Sequence, residues 1–73
     1  MARNELTPED WRWLAECYRD SVAECADEGW TYEGEAVMTS IGYVEIQPGG
    51  DVVGFGTNFG NAPEICEFCD LSA

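Results

Sequence analysis

From Thr7 to Gly29 the apolar residues recur at helical spacing. With each residue advancing about 100° around an axis, Trp11, Leu14, Ala15, Tyr18, Val22 and Cys25 share one face, the side a helix turns to its core. Thr7 is placed to cap the first free N–H groups, and Pro8 suits the first helical position. Glu9 and Asp10 sit at the positive end of the helix dipole, and Gly29 supplies the left-handed residue that closes a helix. Leu6 is placed to pack back onto the first turn. The opposite face gathers Glu9, Glu16, Asp20, Glu24 and Asp27, with Trp13 among them.

Past Gly29 the period changes. Trp30-Thr31-Tyr32-Glu33 alternates aromatic with polar residues and reads as a short strand interrupted by Gly34. Glu35 to Gln47 is rich in β-formers, yet its apolar residues switch parity: Val37, Ile41 and Tyr43 on one side, Ala36, Met38, Val44 and Ile46 on the other. A bulge at Ser40-Ile41-Gly42 reconciles the two sets within one strand. Pro48-Gly49-Gly50 is a turn. From Asp51 to Phe59, Val53, Phe55, Thr57 and Phe59 make one face bulky, so this stretch is the hairpin partner of the preceding strand. Pro63 then opens EICEFCDL, where Ile65, Phe68 and Cys69 recur at helical spacing. The pattern predicts an α+β fold in one domain, 1–73: one long N-terminal helix packed on a three-stranded antiparallel sheet, with a short C-terminal helix.

Charge changes the picture. Over 73 residues the chain has 15 acids against 3 bases, a net charge of -12, and no histidine. The bases are Arg3, Arg12 and Arg19, so everything after Arg19 is anionic or neutral. Self-repulsion on this scale opposes compaction, so the acidity is read as serving solubility, salt tolerance or a cationic partner rather than the fold. A nucleic acid as direct ligand, and an anionic membrane surface, would both need the Lys and Arg that are missing. MARNELTPED holds no apolar signal-peptide core and no stretch approaches the length of a membrane span, so the expected location is the cytosol.

Candidate chemistry is sparse. Without histidine and without a serine-centred motif, triads and histidine-ligated metal sites have nothing to stand on, and no two acids stand out with the divergent environments that acid–base work needs. The expectation is a protein that is not an enzyme. Cys66 and Cys69 have CxxC spacing, which suits two ligands of a tetrahedral zinc. Cys17 and Cys25, eight residues apart in one helix, lie about 12 Å apart along its axis, too far to bridge. Cys25, on the core face, is the better third ligand, so a zinc site would use Cys25, Cys66 and Cys69. Buried thiols and a stapling disulfide are the other readings of the cysteines.

The acids on the rear of the helix carry the main functional expectation. Glu16, Asp20 and Glu24 are spaced by about 6 Å along the axis, and DNA phosphates repeat on a comparable scale. A rigid row of carboxylates offers a phosphate-binding protein the charge pattern its Lys/Arg groove accepts, and an exposed Trp13 is a candidate anchor. The candidate partner-binding residues are therefore Glu9, Trp13, Glu16, Asp20, Glu24 and Asp27. The competing reading is a solvated outer face on a small structural or zinc-binding protein from a salt-adapted host.

In its small size, acid excess and lack of enzymatic motifs over the full chain, the sequence resembles the small phage-encoded inhibitors that include DNA-mimic anti-CRISPR proteins. That resemblance implies a basic nucleic-acid-binding partner, such as a CRISPR effector complex, whose DNA- or PAM-binding groove the chain occupies in a bacterial cytoplasm.

Overall fold

The computed structural model describes residues 6–65. Helix α1 spans Pro8–Glu28 and is followed by β1 (Glu35–Thr39), β2 (Gly42–Ile46), β3 (Asp51–Gly54) and β4 (Thr57–Asn61). A short C-terminal helix begins at residue 62. The four strands form one antiparallel sheet in the order β1-β2-β3-β4, each paired with its neighbour in sequence. The architecture is α+β, with the long helix over one face of the sheet.

Both ends of α1 are capped by the residues that the sequence marks. The Thr7 hydroxyl accepts from the Asp10 N–H at 3.1 Å, and the Thr7 N–H donates back to the Asp10 carboxylate at 3.0 Å, a reciprocal capping box. Gly29 takes φ 77. Its N–H donates to the Ala26 carbonyl at 3.2 Å and the Trp30 N–H to the Cys25 carbonyl at 2.7 Å, the paired bonds of a Schellman motif.

The sheet has four strands where the sequence pattern predicts three, because two of the expected strands are hairpins. Glu35–Gln47 would run about 43 Å as one strand, far beyond an ordinary strand length. Instead the chain folds back at Ser40-Ile41, with Thr39 opposite Gly42 and Val37 opposite Val44. A two-residue hairpin loop reverses parity as a bulge does, so the switch in the apolar pattern is real and its cause is a turn. The same correction applies to Asp51–Phe59. Phe55 (φ 52) and Gly56 (φ 75) both have the positive φ of a type I′ turn. Phe55 is therefore a turn residue and not part of a bulky strand face. The bulge that does occur lies between Val52 and Val53, and it is Val52 that is fully buried. Among the described residues Trp30–Glu33 pairs with no strand; it is a return between the helix and β1.

The core lies between α1 and the sheet: Trp11, Leu14 and Ala15 from the helix, Val37, Val44, Ile46 and Val52 from the strands, and Ala62. Leu6, Cys17, Tyr18 and Tyr32 pack on its margin. At the N-terminal end of α1, the buried Asp10 carboxylate accepts the Ser40 N–H at 3.1 Å and also the Ser40 hydroxyl, tying the helix to the β1–β2 turn. Further along, Ser21 donates to Glu35 at 2.8 Å. Asp10 to Ser21 measures about 16 Å at helical rise, and Glu35 to Ser40 about 17 Å at strand rise. So α1 lies antiparallel to β1, matches its length between those two ties, and then overhangs the sheet from Val22 to Glu28. Only the first part of α1 contributes buried residues, namely Asp10, Trp11, Leu14 and Ala15.

Candidate functional site

The face of α1 turned from the sheet carries the acids that the helical spacing predicts. Glu9, Glu16, Asp20, Glu24 and Asp27 are all exposed, and Trp13 is 51% exposed. They are held there because the apolar face is fixed to the sheet and both ends are capped, so the axis cannot roll without exposing Leu14. From Glu9 to Asp27 the row extends about 27 Å at helical rise.

A second acidic feature has no counterpart in the sequence reading. The overhanging end of α1 and the 30–35 return enclose a groove of about 440 Å³, whose walls include Glu24, Glu28, Trp30, Tyr32, Glu33 and Glu35. Trp30 is 70% exposed, more than Trp13. Glu35 is fixed in the groove wall: its Oε2 accepts from the Ser21 hydroxyl at 2.8 Å and from the Tyr32 hydroxyl at 3.4 Å. The Tyr32 ring in turn meets the Tyr18 ring edge-on, with centroids 5.4 Å apart and planes at 86°. Burial, then the charge and hydrogen bond of Glu35, push the Tyr32 phenol above its ordinary pKa, so it keeps its proton and acts as a donor to Glu35. Gly34 (φ 99) presses the return against β2; a Cβ there would stand 2.5 Å from the Ile46 carbonyl oxygen. The signal for this groove was present in Trp30 and Tyr32, but their alternation reads equally well as a strand.

The cysteines separate. Cys17 and Cys25 are both half-buried free thiols. Cys17 packs at the margin of the core, whereas Cys25, assigned to the core face by helical spacing, lies on the overhang and lines the groove. Burial, and after it the charges of Glu35, Glu16 and Asp20, raise the Cys17 pKa, which favours the protonated and weakly nucleophilic form. Cys66 and Cys69 lie outside the described residues. Among the described residues, no group of 3 or more His, Cys, Asp or Glu side chains is arranged to hold a metal ion. Among them, too, no helix is long and apolar enough to cross a membrane.

On the sheet face opposite α1, Met38 and Tyr43 form an exposed cross-strand pair, 54% and 64% exposed. Compared with protein-family models, curated proteins and solved structures, the chain matches none.

Proposed function

We propose that this protein is an acidic inhibitor that presents the charge of a nucleic acid and occupies the DNA-binding groove of a basic effector, acting in the manner of the DNA-mimic anti-CRISPR proteins in a bacterial cytoplasm. The single observation that carries the reading is the continuous exposure of Glu9, Glu16, Asp20, Glu24 and Asp27 along one side of a capped helix. A rigid row of like charges needs no reorganisation to meet a Lys/Arg groove, and the complementary fields speed encounter and fix orientation. Trp13, between Glu9 and Glu16 in the row, gives an apolar anchor with the size and polarity common at interface hot spots. In this reading the chain performs no chemistry of its own; it binds and excludes.

The experiment is capture of the effector from the native host, followed by binding measurements with the purified pair. Affinity should fall steeply with added salt, and the triple variant Glu16→Lys, Asp20→Lys, Glu24→Lys should lose the effector. Trp13→Ala should weaken binding by at least about 1 kcal/mol while leaving the fold intact. Full retention of the effector by the triple variant would overturn the reading. Stoichiometric zinc, with unfolding on its removal, would favour the structural alternative.

A further inference from the structure

The groove at the overhanging end of α1 has a shape and a sign that the acidic row does not explain. Its walls join four carboxylates, Glu24, Glu28, Glu33 and Glu35, to two aromatic side chains, Trp30 and Tyr32. The negative end of the helix dipole also points into this region, and the last turn of α1 contains no base to offset it. The occupant that such a field favours is a cation, and the aromatic wall favours one with a flat, weakly hydrated face. A guanidinium meets both conditions: it stacks on an indole and forms two parallel hydrogen bonds to a carboxylate, whereas an ammonium is a compact and strongly hydrated point charge. The site is also organised in advance. Ser21 and Tyr32 both bond Oε2 of Glu35, and neither takes Oε1. Tyr32 is braced by Tyr18, and Gly34 pins the return to β2.

We infer that this groove is a receptor for an arginine side chain presented by a partner protein, with the guanidinium stacked on Trp30 and paired with the groove carboxylates. The inference rests on the inhibitor reading for who presents the arginine, but not for the binding of a guanidinium itself.

The test is an NMR titration of the intact ¹⁵N-labelled protein at about 0.15 M salt, where charges beyond about 8 Å are screened. The probes are arginine capped at both ends, capped lysine, and capped citrulline as the neutral isostere. Capped arginine should move the Trp30 indole N–H and the amides of 30–35 saturably, capped lysine should bind more weakly, and capped citrulline should leave these signals in place. Trp30→Ala should weaken arginine binding about five-fold. Glu35→Gln, which keeps an oxygen for Ser21 and Tyr32, should weaken it by a similar factor. Glu16→Lys with Asp20→Lys should change it less than about two-fold, since those residues lie outside the groove. Both groove variants should retain the dispersed spectrum of the folded chain. A titration without saturation, equal shifts with citrulline, equal affinity for lysine, or wild-type binding by Trp30→Ala would each overturn the inference. The two readings fail separately: a flat titration removes the groove and leaves the acidic row, while full retention of the effector by Glu16→Lys with Asp20→Lys, which spares the groove carboxylate Glu24, removes the row as the contact surface and leaves the groove.

Discussion

The two parts of α1 are written in the same code of apolar and acidic residues, yet they have different surroundings. From Asp10 to Tyr18 the helix is held over the sheet, with Leu14 and Ala15 fully buried and Asp10 bonded to Ser40. From Val22 to Glu28 it runs past the end of β1, and its inward residues, Val22 and Cys25, are only half-buried. An amphipathic stripe specifies which side of a helix turns inward. It does not specify how far the layer beneath extends, and here a five-residue β1 beside a 21-residue helix leaves the last turns, among the described residues, beside the 30–35 return. The first part is anchorage. The second is surface, and the groove exists because of the mismatch.

The sharpest test of that contrast is a pair of truncations. Leu14→Ala should cost about 2–5 kcal/mol by urea denaturation, a large share of the ~4–11 kcal/mol expected for a chain of this size. Val22→Ala should cost less, about 1 kcal/mol, since its side chain is only partly withdrawn from water and its loss leaves no closed cavity. Comparable losses at the two positions would break the comparison.

Next in size is the Asp10 tie. Asp10→Asn should destabilise by about 2 kcal/mol through loss of the charge-assisted bonds from Thr7 and Ser40. Burial by itself would raise the Asp10 pKa, but the bonds from Ser40 and Thr7 outweigh it and hold the carboxyl below its ordinary value of 3.8. A depressed folded-state pKa gives stability that is full above the unfolded value and is lost as pH falls through the folded one. The difference between wild type and Asp10→Asn should therefore be constant at neutral pH and shrink below about pH 4 in acid-unfolding curves.

Hydrogen exchange should draw the same boundary without mutation. Amides from Trp11 to Tyr18 should be protected at least about ten-fold more than those from Ala23 to Glu28, because the overhang can fray without opening the core. Gly29→Ala should cost about 1 kcal/mol, since a Cβ there meets nothing within 4 Å and only the left-handed φ of 77 resists it. Smallest of all, Glu16→Lys with Asp20→Lys should shift stability by no more than about 0.5 kcal/mol in thermal melts. A larger loss would mean that these acids belong to the fold.

Much of the helix was legible in the chain because its signals are local. Thr7, Pro8 and Gly29 act on backbone groups within a turn of themselves, and the spacing of Trp11, Leu14 and Ala15 fixes a face whatever lies beneath it. The strands were legible as β-forming stretches but not as separate strands. A parity switch follows equally from a bulge or from a two-residue loop, and only the pairing of Val37 with Val44 distinguishes them. Phe55 misled for a related reason: its aromatic ring suits a strand, while its place beside Gly56 suits a turn, and the closure of β3 on β4 decides between them.

The sequence by itself determined a capped amphipathic helix, a β-forming remainder, and an excess of negative charge that faces water along α1. Tertiary structure alone decided that Asp10 serves Ser40, 30 residues away, as well as its own helix. It also decided that Glu35, reached by Ser21 and Tyr32, lines a groove together with Trp30. Local preferences are settled over a few bonds of the chain, whereas a groove depends on where a helix stops relative to a sheet, and that difference in length appears only once the two are packed together.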